Sequence, residues 1–108
     1  NSVVYGIHDS DTPIALLMLR DFVDNEKILC VLDQFMISEQ YQGQGYVKLA
    51  MKQLISLIEE SKKYNSIQLC YKEDDIIAKN LYESLGFQHT GEIDEDEITM
   101  EYKFLSNI

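Results

Sequence analysis

The chain has 108 residues, 45% of them hydrophobic, and a formal net charge of -10. This length accommodates one domain with one modest core, and the acidic balance argues against nucleic acid as a partner, because phosphate backbones attract lysine and arginine. A cationic small molecule or a basic peptide fits the charge, as does a purely solubilising role. No apolar run is long enough to span a membrane and no signal-peptide pattern is visible, so we expect no membrane partner.

The first part of the chain predicts three strands joined by polar turns. Val3 to His8 and Pro13 to Phe22 are apolar runs separated by turn residues 9–12, and residues 24–27 form a second turn. Ile28 to Ile37 is apolar almost throughout, which is typical of a central strand covered on both faces. We expect these three strands to form an antiparallel meander.

The second part of the chain predicts helices that alternate with strands. Apolar residues at helical spacing predict a helix from Gly45 to Tyr64, followed by a short strand from Ser66 to Tyr71. A second helix is expected from a cap at Asp74 or Asp75 to Leu85, and Gly86 should end it in the left-handed conformation. The expected buried positions are Val47, Ala50, Met51, Leu54, Ile55, Leu57 and Ile58 in the first helix and Ile77, Ala78, Leu81 and Leu85 in the second.

The last residues complete a single predicted domain. Residues 90–91 and 94–96 have the composition of turns, and Ile98 to Phe104 alternates like a strand. No internal repeat or linker is present, so residues 1–108 are expected to form one α+β domain with a mixed sheet. Its predicted topology is a three-stranded antiparallel meander followed by β-α-β-α-β.

Two glycines one residue apart lie where the third strand leads into the first helix. Backbone N–H groups in such a turn point in front of the positive end of the helix dipole, where phosphate or pyrophosphate binds well. Residues 37–46 therefore predict a site for a phosphate-bearing cofactor. A plain tight turn into a helix is the alternative interpretation.

Cys30 and Cys70 each lie within an apolar, strand-like run. We expect buried free thiols in a reducing compartment, the cytoplasm, with a disulfide between neighbouring strands as the alternative. Burial in a strand also argues against either sulfur as a nucleophile. Because His8 and His89 lack the company of other metal-ligating residues, no metal cofactor is expected.

Two motifs together resemble those of the GNAT family of N-acetyltransferases. The family's cofactor signature is Gln or Arg, two residues, Gly, one residue, and Gly or Ala, and it is matched here by Gln42-Gly43-Gln44-Gly45-Tyr46-Val47. The second mark is Ala, two residues, Leu-Tyr, three residues, and Gly-Phe, matched by Ala78 to Phe87. The resemblance extends from Tyr5 over nearly the whole chain and implies the acyl-CoA N-acyltransferase fold.

The resemblance implies acetyl-CoA as the cofactor. Its pyrophosphate would lie on the backbone amides of residues 42–47, and its pantetheine arm would pair like an extra strand with the end of the third strand. In the family, that strand splays away from the next parallel strand. The implied cofactor-binding residues are Phe35, Met36, Ile37, Gln42, Gly43, Gln44, Gly45, Tyr46, Val47, Asp75 and Asn80.

Three of these positions have a second interpretation. Val47 stands where the family has Gly or Ala, so its branched side chain is expected to crowd the first helical turn under the phosphates. Asp75 stands where many members have an Asn that contacts the cofactor arm, and a helix N-cap is the alternative. Asn80 is a candidate contact or a solvated helix residue.

Two residues are implied to be catalytic. Tyr82 matches the family's tyrosine, which often donates a proton to the departing CoA thiolate, and the alternative is a ring that packs on the sheet. Asp33 lies in a strand that resembles that of spermidine/spermine acetyltransferases, where an acid can hold the substrate ammonium and help to remove its proton. The alternative for Asp33 is an exposed carboxylate or one paired with an arginine such as Arg20.

The sequence therefore predicts an N-acetyltransferase that moves acetyl to a primary amine by direct attack in a ternary complex. A polyamine or another small cationic amine is the expected acceptor, and the run from Glu92 to Glu97 either lines its site or is a solvated loop. A protein amine, an antibiotic amine and a CoA-binding domain without turnover are the alternatives. Because the chain begins in a strand, we expect the family's N-terminal strand and helices to be absent or supplied by another chain, as in a possible homodimer.

Overall fold

The computed structural model describes residues 2–41 and 45–104. Within them lie six strands, two α-helices and a short 3-10 helix (Glu39–Tyr41). The strands and α-helices are β1 (Ser2–Asp9), β2 (Thr12–Asp24), β3 (Lys27–Ile37), α1 (Tyr46–Ser61), β4 (Ser66–Lys72), α2 (Ile76–Leu85), β5 (Gln88–Asp94) and β6 (Glu97–Lys103). Neither α1 nor α2, the helices of the described part, is long and apolar enough to cross a membrane.

The strands form one mixed sheet in the order β1-β2-β3-β4-β6-β5. β1, β2 and β3 are a meander of antiparallel neighbours, β3 and β4 are parallel, and β6 is antiparallel to both β4 and β5. The predicted meander and the β-α-β unit are therefore confirmed. The short connections from β1 to β3 and the helical crossover from β3 to β4 account for this order.

The sequence did not predict strand β5. Residues 90–91 were expected to form a turn, but they lie inside β5, where Gly91 has a φ of 93° beside an irregularity in the pairing with β6. Every residue of β5 is exposed. An edge strand of this kind is held by backbone hydrogen bonds to β6 and buries no alternating apolar face, so hydrophobic periodicity gave no signal for it.

Both helices pack on the same face of the sheet. The core there joins α1 and α2 to inward-facing residues of the central strands, among them Leu17, Cys30, Leu32, Leu69 and Met100. The opposite face is not covered by either helix and exposes Leu16 and Met36. The expectation that β3 is covered on both faces is therefore wrong for the described residues, because residues of α1 and α2 pack into one core on a single side of the sheet.

Helix α1 is shorter than predicted. It begins after Gly45 and ends at Ser61, because Lys62 adopts a left-handed φ of 56° and closes the last turn by donating its N–H to the Glu59 carbonyl. Fewer residues of α1 are buried than predicted, since Leu57, an expected core position, is 65% exposed. In α2, Ile77 is 84% exposed, and the buried residue is Tyr82.

The two cysteines have different surroundings, and both are free. Cys30 is buried as predicted, and burial raises the pKa of its thiol to about 11. Cys70 is exposed, which contradicts the prediction of burial. It belongs to the uncovered face of β4, where its sulfur lies 3.4 Å from the Thr99 hydroxyl.

Replacement of Gly86 by alanine is expected to destabilise the fold by about 1–2 kcal/mol, because an L-residue is strained in the left-handed conformation. Gly86 ends α2 at a φ of 104°, as predicted, and an added Cβ would lie 3.2 Å from Cε2 of Tyr102. Gly91→Ala is the matched control, because its φ is 93° and an added Cβ would meet nothing within 4 Å. Urea unfolding should show the larger loss for Gly86→Ala; equal losses would mean that contact with Tyr102 costs nothing.

Candidate active site

Strands β3 and β4 separate partway along their length. They pair only where Leu29–Leu32 meets Ser66–Leu69, while β3 continues to Ile37 paired with β2 alone. Within the described residues, the β4-facing backbone edge of residues 33–36 therefore has no strand partner. Such an edge offers hydrogen-bonding groups that a ligand with amide groups can use, as a peptide does when it extends a sheet.

A β-bulge marks the start of this separation. Leu19 pairs with Leu32 and Met18 pairs with Gln34, so Asp33 is the extra residue of β3. Bulges bend a strand and re-aim side chains, and they occur beside active sites. Here the bulge places Asp33 at the edge of the gap between the strands.

Asp33 forms an ion pair with Arg20, one of the two alternatives for this residue. The guanidinium donates from Nε at 2.9 Å and from Nη2 at 3.2 Å to the two carboxylate oxygens, and this hydrogen bonding raises the pKa of Arg20. The side chains are 37% and 29% exposed. Exposed pairs of this kind stabilise a fold by about 1 kcal/mol or less, so stability alone gives little reason for the carboxylate at this place.

The gap between β3 and β4 is a cavity of about 210 Å³. It brings together four residues predicted from the sequence: Asp33, Phe35, Asp75 and Tyr82. Side chains that the sequence did not single out complete the lining, among them Gln34, Cys70, Tyr71, Lys72 and Glu97. Glu97 was predicted only as part of an acidic run, and its place as the first residue of β6 could have been found from the alternation of that strand.

Tyr82 closes one side of this cavity. It is 7% exposed, and its ring centroid lies 6.4 Å from that of Tyr71 and 5.8 Å from that of Phe87. Burial, with a smaller contribution from the charge of Asp75, raises the pKa of Tyr82 to about 12. Its hydroxyl therefore keeps its proton at neutral pH and can act as an acid toward a group in the cavity.

Asp75 is the N-cap of α2. Its carboxylate accepts a hydrogen bond from the Ala78 N–H at 3.0 Å, which is the alternative foreseen for this residue, and Asp75 still lines the cavity. Asn80 is exposed on α2 and lies outside the cavity lining.

Asp75→Ala is expected to lower the free energy of unfolding by about 1 kcal/mol through loss of the N-cap. Asp74→Ala is the matched control, because Asp74 carries the same charge next to the cap without accepting the Ala78 N–H. Urea unfolding gives the free energy of unfolding of both variants, and we expect only Asp75→Ala to be destabilised. Equal stabilities would contradict the assignment of the cap to Asp75.

The start of α1 follows the end of β3 along the chain. Gln42, Gly43 and Gln44, three of the predicted pyrophosphate-binding residues, lie outside the described residues. Gly45 is the N-cap with a φ of 80° and gives no side-chain cap to the helix. Gly45 therefore has no side chain to accept hydrogen bonds from the first N–H groups of α1. A helix start of this kind can donate these N–H groups to an anion.

Two more cofactor-binding candidates lie in this first turn. Tyr46 is exposed and packs edge-on against Tyr41, with ring centroids 5.4 Å apart. Val47 is only 8% exposed and belongs to the core cluster with Met51 and Leu32. Its branched side chain packs in the core, and whether it also crowds the first helical turn under a bound phosphate stays a prediction.

The remaining candidates of β3 lie on opposite faces. Ile37 and Phe35 are half-buried beside the core, and Met36 is exposed on the uncovered face. Only Phe35 of the three lines the cavity. Within residues 2–41 and 45–104, no group of three His, Cys, Asp or Glu side chains is placed to hold a metal ion.

Comparison with known proteins decides the family. Residues 1–87 match the model of the Acetyltransferase (GNAT) family. The chain belongs to this family. The family membership that the two motifs predicted is therefore confirmed. The GNAT fold accounts for the separation of β3 and β4.

Curated GNAT relatives of the chain are bacterial. It is 42% identical over 71 residues to the spermine/spermidine N(1)-acetyltransferase of Bacillus subtilis (strain 168), a match that covers 66% of this chain and 47% of the relative. It is 41% identical over 71 residues, with the same coverage, to the probable spermine N(1)-acetyltransferase of Bacillus subtilis subsp. natto (strain BEST195). The chain thus spans about half the length of the curated relatives it matches.

Solved structures confirm the predicted fold. The spermidine N-acetyltransferase from Vibrio cholerae in complex with CoA and spermine superposes with a TM-score of 0.82 at 19% identity, covering 94% of this chain and 65% of that chain. The PaiA N-acetyltransferase from Thermoplasma acidophilum in complex with coenzyme A gives a TM-score of 0.78 at 16% identity, covering 95% and 61%. At these identities the likeness concerns the fold.

Proposed function

We propose that this protein is an N-acetyltransferase that moves acetyl from acetyl-CoA to a primary amine of a polyamine or a similar small cation. The observation that carries the proposal is the gap between β3 and β4, where Asp33 and Tyr82 line one cavity. The polyamine acetyltransferases among the curated relatives support the choice of acceptor. The net charge of -10 agrees with a cationic substrate.

The residues at the gap fit acetyl-CoA. The β4-facing backbone edge of residues 33–36 has no strand partner among the described residues, so it can pair with the amides of a pantetheine arm beside Phe35, Met36 and Ile37. Backbone amides from Gln42 to Val47, at the start of α1, would hold the pyrophosphate. Asp75 and Asn80 on α2 are the further proposed contacts. Acetyl-CoA would supply the acetyl group as a thioester, whose sulfur is the leaving group.

Two side chains would transfer protons during the reaction. An alkyl amine has a pKa near 10.4, so the acceptor arrives as an ammonium and must lose a proton before it attacks. Asp33 would hold this ammonium and accept or relay the proton. Tyr82, which burial keeps protonated, would donate a proton to the departing sulfur.

We propose direct attack rather than an acetylated cysteine. Burial raises the pKa of the Cys30 thiol to about 11, so almost no thiolate is present at neutral pH. Cys70 is exposed and lines the cavity, so it is the sulfur that a covalent route would use. Cys70→Ala separates the two routes, because direct attack predicts that thiol release persists in this variant.

Release of CoA thiol with a panel of amines tests the proposal. The panel consists of spermidine, an aminoglycoside and a peptide with a free N-terminus, each at a saturating concentration of acetyl-CoA. We expect the largest kcat/KM with spermidine. Faster release with the peptide or the aminoglycoside would assign a different acceptor, and release with none of the three would remove the enzymatic function.

A further inference from the structure

One primary amine of the protein lies at the cavity between β3 and β4. Lys72, the last residue of β4, lines this cavity, and the other lysines of the chain lie outside its lining. Among the described residues of the lining, Lys72 is the one cation on a wall that carries the carboxylates of Asp33, Asp75 and Glu97. Because opposite charges attract, this wall favours positions of the Lys72 ammonium close to the cavity.

No other group holds the Lys72 side chain in the part of the chain that the structure describes. Its ammonium forms no ion pair and no hydrogen bond there, whereas the Lys63 ammonium lies 2.7 Å from the Asp21 carboxylate. The backbone of Lys72 is fixed, since it pairs with Glu97 in β6 and its carbonyl accepts the Asp75 N–H at 2.8 Å. The sheet therefore anchors Lys72 at the gap, and its flexible side chain is free to enter the gap.

We infer that Lys72 is a self-acetylation site, modified at Nζ by acetyl-CoA bound in the gap between β3 and β4. This inference rests on the proposed function. A lysine side chain is a primary alkyl amine, the same chemical group as the proposed acceptor, and Asp33 and Tyr82 line the same cavity. When no free amine occupies the site, Lys72 is the amine of the chain that meets the acetyl group.

The bonds and the protons of this transfer balance. The Lys72 ammonium loses one proton to the Asp33 carboxylate, since only the free amine carries a lone pair that can attack. Nζ then forms a bond to the acetyl carbon, and the bond between that carbon and the CoA sulfur breaks. Tyr82 protonates the departing sulfur and takes back the second proton, which Nζ loses as the amide forms. The products are N-acetylated Lys72, free CoA thiol and one proton, which Asp33 releases to water.

Acetylation of Lys72 changes the charge of the cavity wall. The product is a neutral amide, so the three carboxylates of the described lining remain without an ammonium beside them. The modification therefore makes the site more negative when acetyl-CoA is present and free amine is scarce.

Peptide mass spectrometry after incubation of the protein with acetyl-CoA, without added amine, tests the inference. Lys103 is the matched internal control, because it also ends a strand of the sheet and is exposed but does not line this cavity. We expect acetylation of Lys72 to be about tenfold or more faster than that of Lys103, since the bound thioester is held beside the Lys72 amine. Acetyl phosphate, which acetylates amines without a CoA site, should modify the two lysines at similar rates.

Two further measurements locate the amine and count its turnover. Free CoA carries no acetyl group, and it should slow the labelling of Lys72 by acetyl phosphate while leaving the labelling of Lys103 unchanged. Lys72→Arg keeps the positive charge but offers no amine, so thiol release from acetyl-CoA in the absence of an acceptor should disappear, whereas Lys103→Arg should retain it.

Equal rates at Lys72 and Lys103 with acetyl-CoA would overturn the inference. The same preference for Lys72 with acetyl phosphate, or no protection of Lys72 by CoA, would also overturn it. Thiol release with spermidine separates this inference from the proposed function. Release with spermidine while Lys72 stays unmodified overturns the self-acetylation alone, and neither release nor modification overturns both. Modified Lys72 without release by any free amine would keep the inference and remove the proposed acceptor.

Discussion

Tyr82→Phe is expected to lower kcat for thiol release by about 100-fold or more, since positioned acids contribute roughly 10²–10⁴ to such rates. The KM for the amine should change little, because the lost hydroxyl acts on the leaving sulfur and not on the acceptor. Phenylalanine preserves the ring that packs against Tyr71 and Phe87. Steady-state kinetics at saturating acetyl-CoA measures both constants.

Tyr102→Phe is the matched control for this variant. Tyr102 also packs against Phe87, with ring centroids 5.5 Å apart, but it does not line the cavity. It should keep the wild-type rate. A Tyr82→Phe enzyme with the wild-type kcat would contradict the role of Tyr82 as an acid and leave it as a packing residue.

The pH dependence follows from the direction of the Tyr82 shift. Burial raises its pKa from the ordinary tyrosine value of 10.0 to about 12, so Tyr82 keeps its proton below that pH and should not limit the rate at pH 8 to 10. Because the pKa of Tyr82 is higher in the folded than in the unfolded protein, protonated Tyr82 stabilises the fold. This contribution to the free energy of unfolding is complete below the pKa of the unfolded state and is lost as the pH rises through the pKa of the folded state. Chemical unfolding as a function of pH should therefore show a loss of stability at strongly alkaline pH in the wild type that is smaller in Tyr82→Phe.

Asp33→Asn is expected to lower kcat/KM for the amine by about tenfold or more, because asparagine can neither pair its charge with the ammonium nor accept its proton, and positioned bases contribute roughly 10²–10⁴ to such rates. Asparagine has nearly the same shape, so the bulge of β3 should persist. Loss of the exposed ion pair with Arg20 should change the stability by about 1 kcal/mol or less. Affinity for acetyl-CoA should stay at the wild-type value.

Asp24→Asn provides the matched control for charge. Asp24 is exposed at the end of β2 opposite Lys27, next to the turn into β3, and it does not line the cavity. Amine kinetics and urea unfolding of both variants separate the two interpretations of Asp33. A small loss of stability with unchanged amine kinetics would leave Asp33 as the partner of Arg20 and remove it from the mechanism.

The sequence predicted those parts of the fold that bury an apolar pattern or need a special residue. The meander could be predicted because its strands alternate or run apolar between polar turns. The end of α2 at Gly86 could be predicted because a left-handed residue favours glycine there. Tyr82 was a candidate through its motif, and its burial between two rings explains the raised pKa.

Other features depend on contacts that one segment of sequence does not contain. Strand β5 is exposed along its length and is held by β6, so it shows no periodicity. Ile77 fits a helical stripe but lies in the first turn of α2, beyond the reach of the core. The bulge at Asp33 is a property of the register between β2 and β3, and Glu97 meets the cavity only because β6 inserts between β4 and β5.

Hydrogen exchange of the backbone amides at residues 33–36, with and without saturating acetyl-CoA, tests whether the gap between β3 and β4 binds the cofactor. These residues form the β3 edge that has no strand partner on its β4 side within the described chain. We expect acetyl-CoA to slow the exchange of the amides that face the gap, while amides bonded to β2 change little. Unchanged exchange at this edge in the presence of acetyl-CoA would contradict the assignment of the gap between β3 and β4 as the cofactor site.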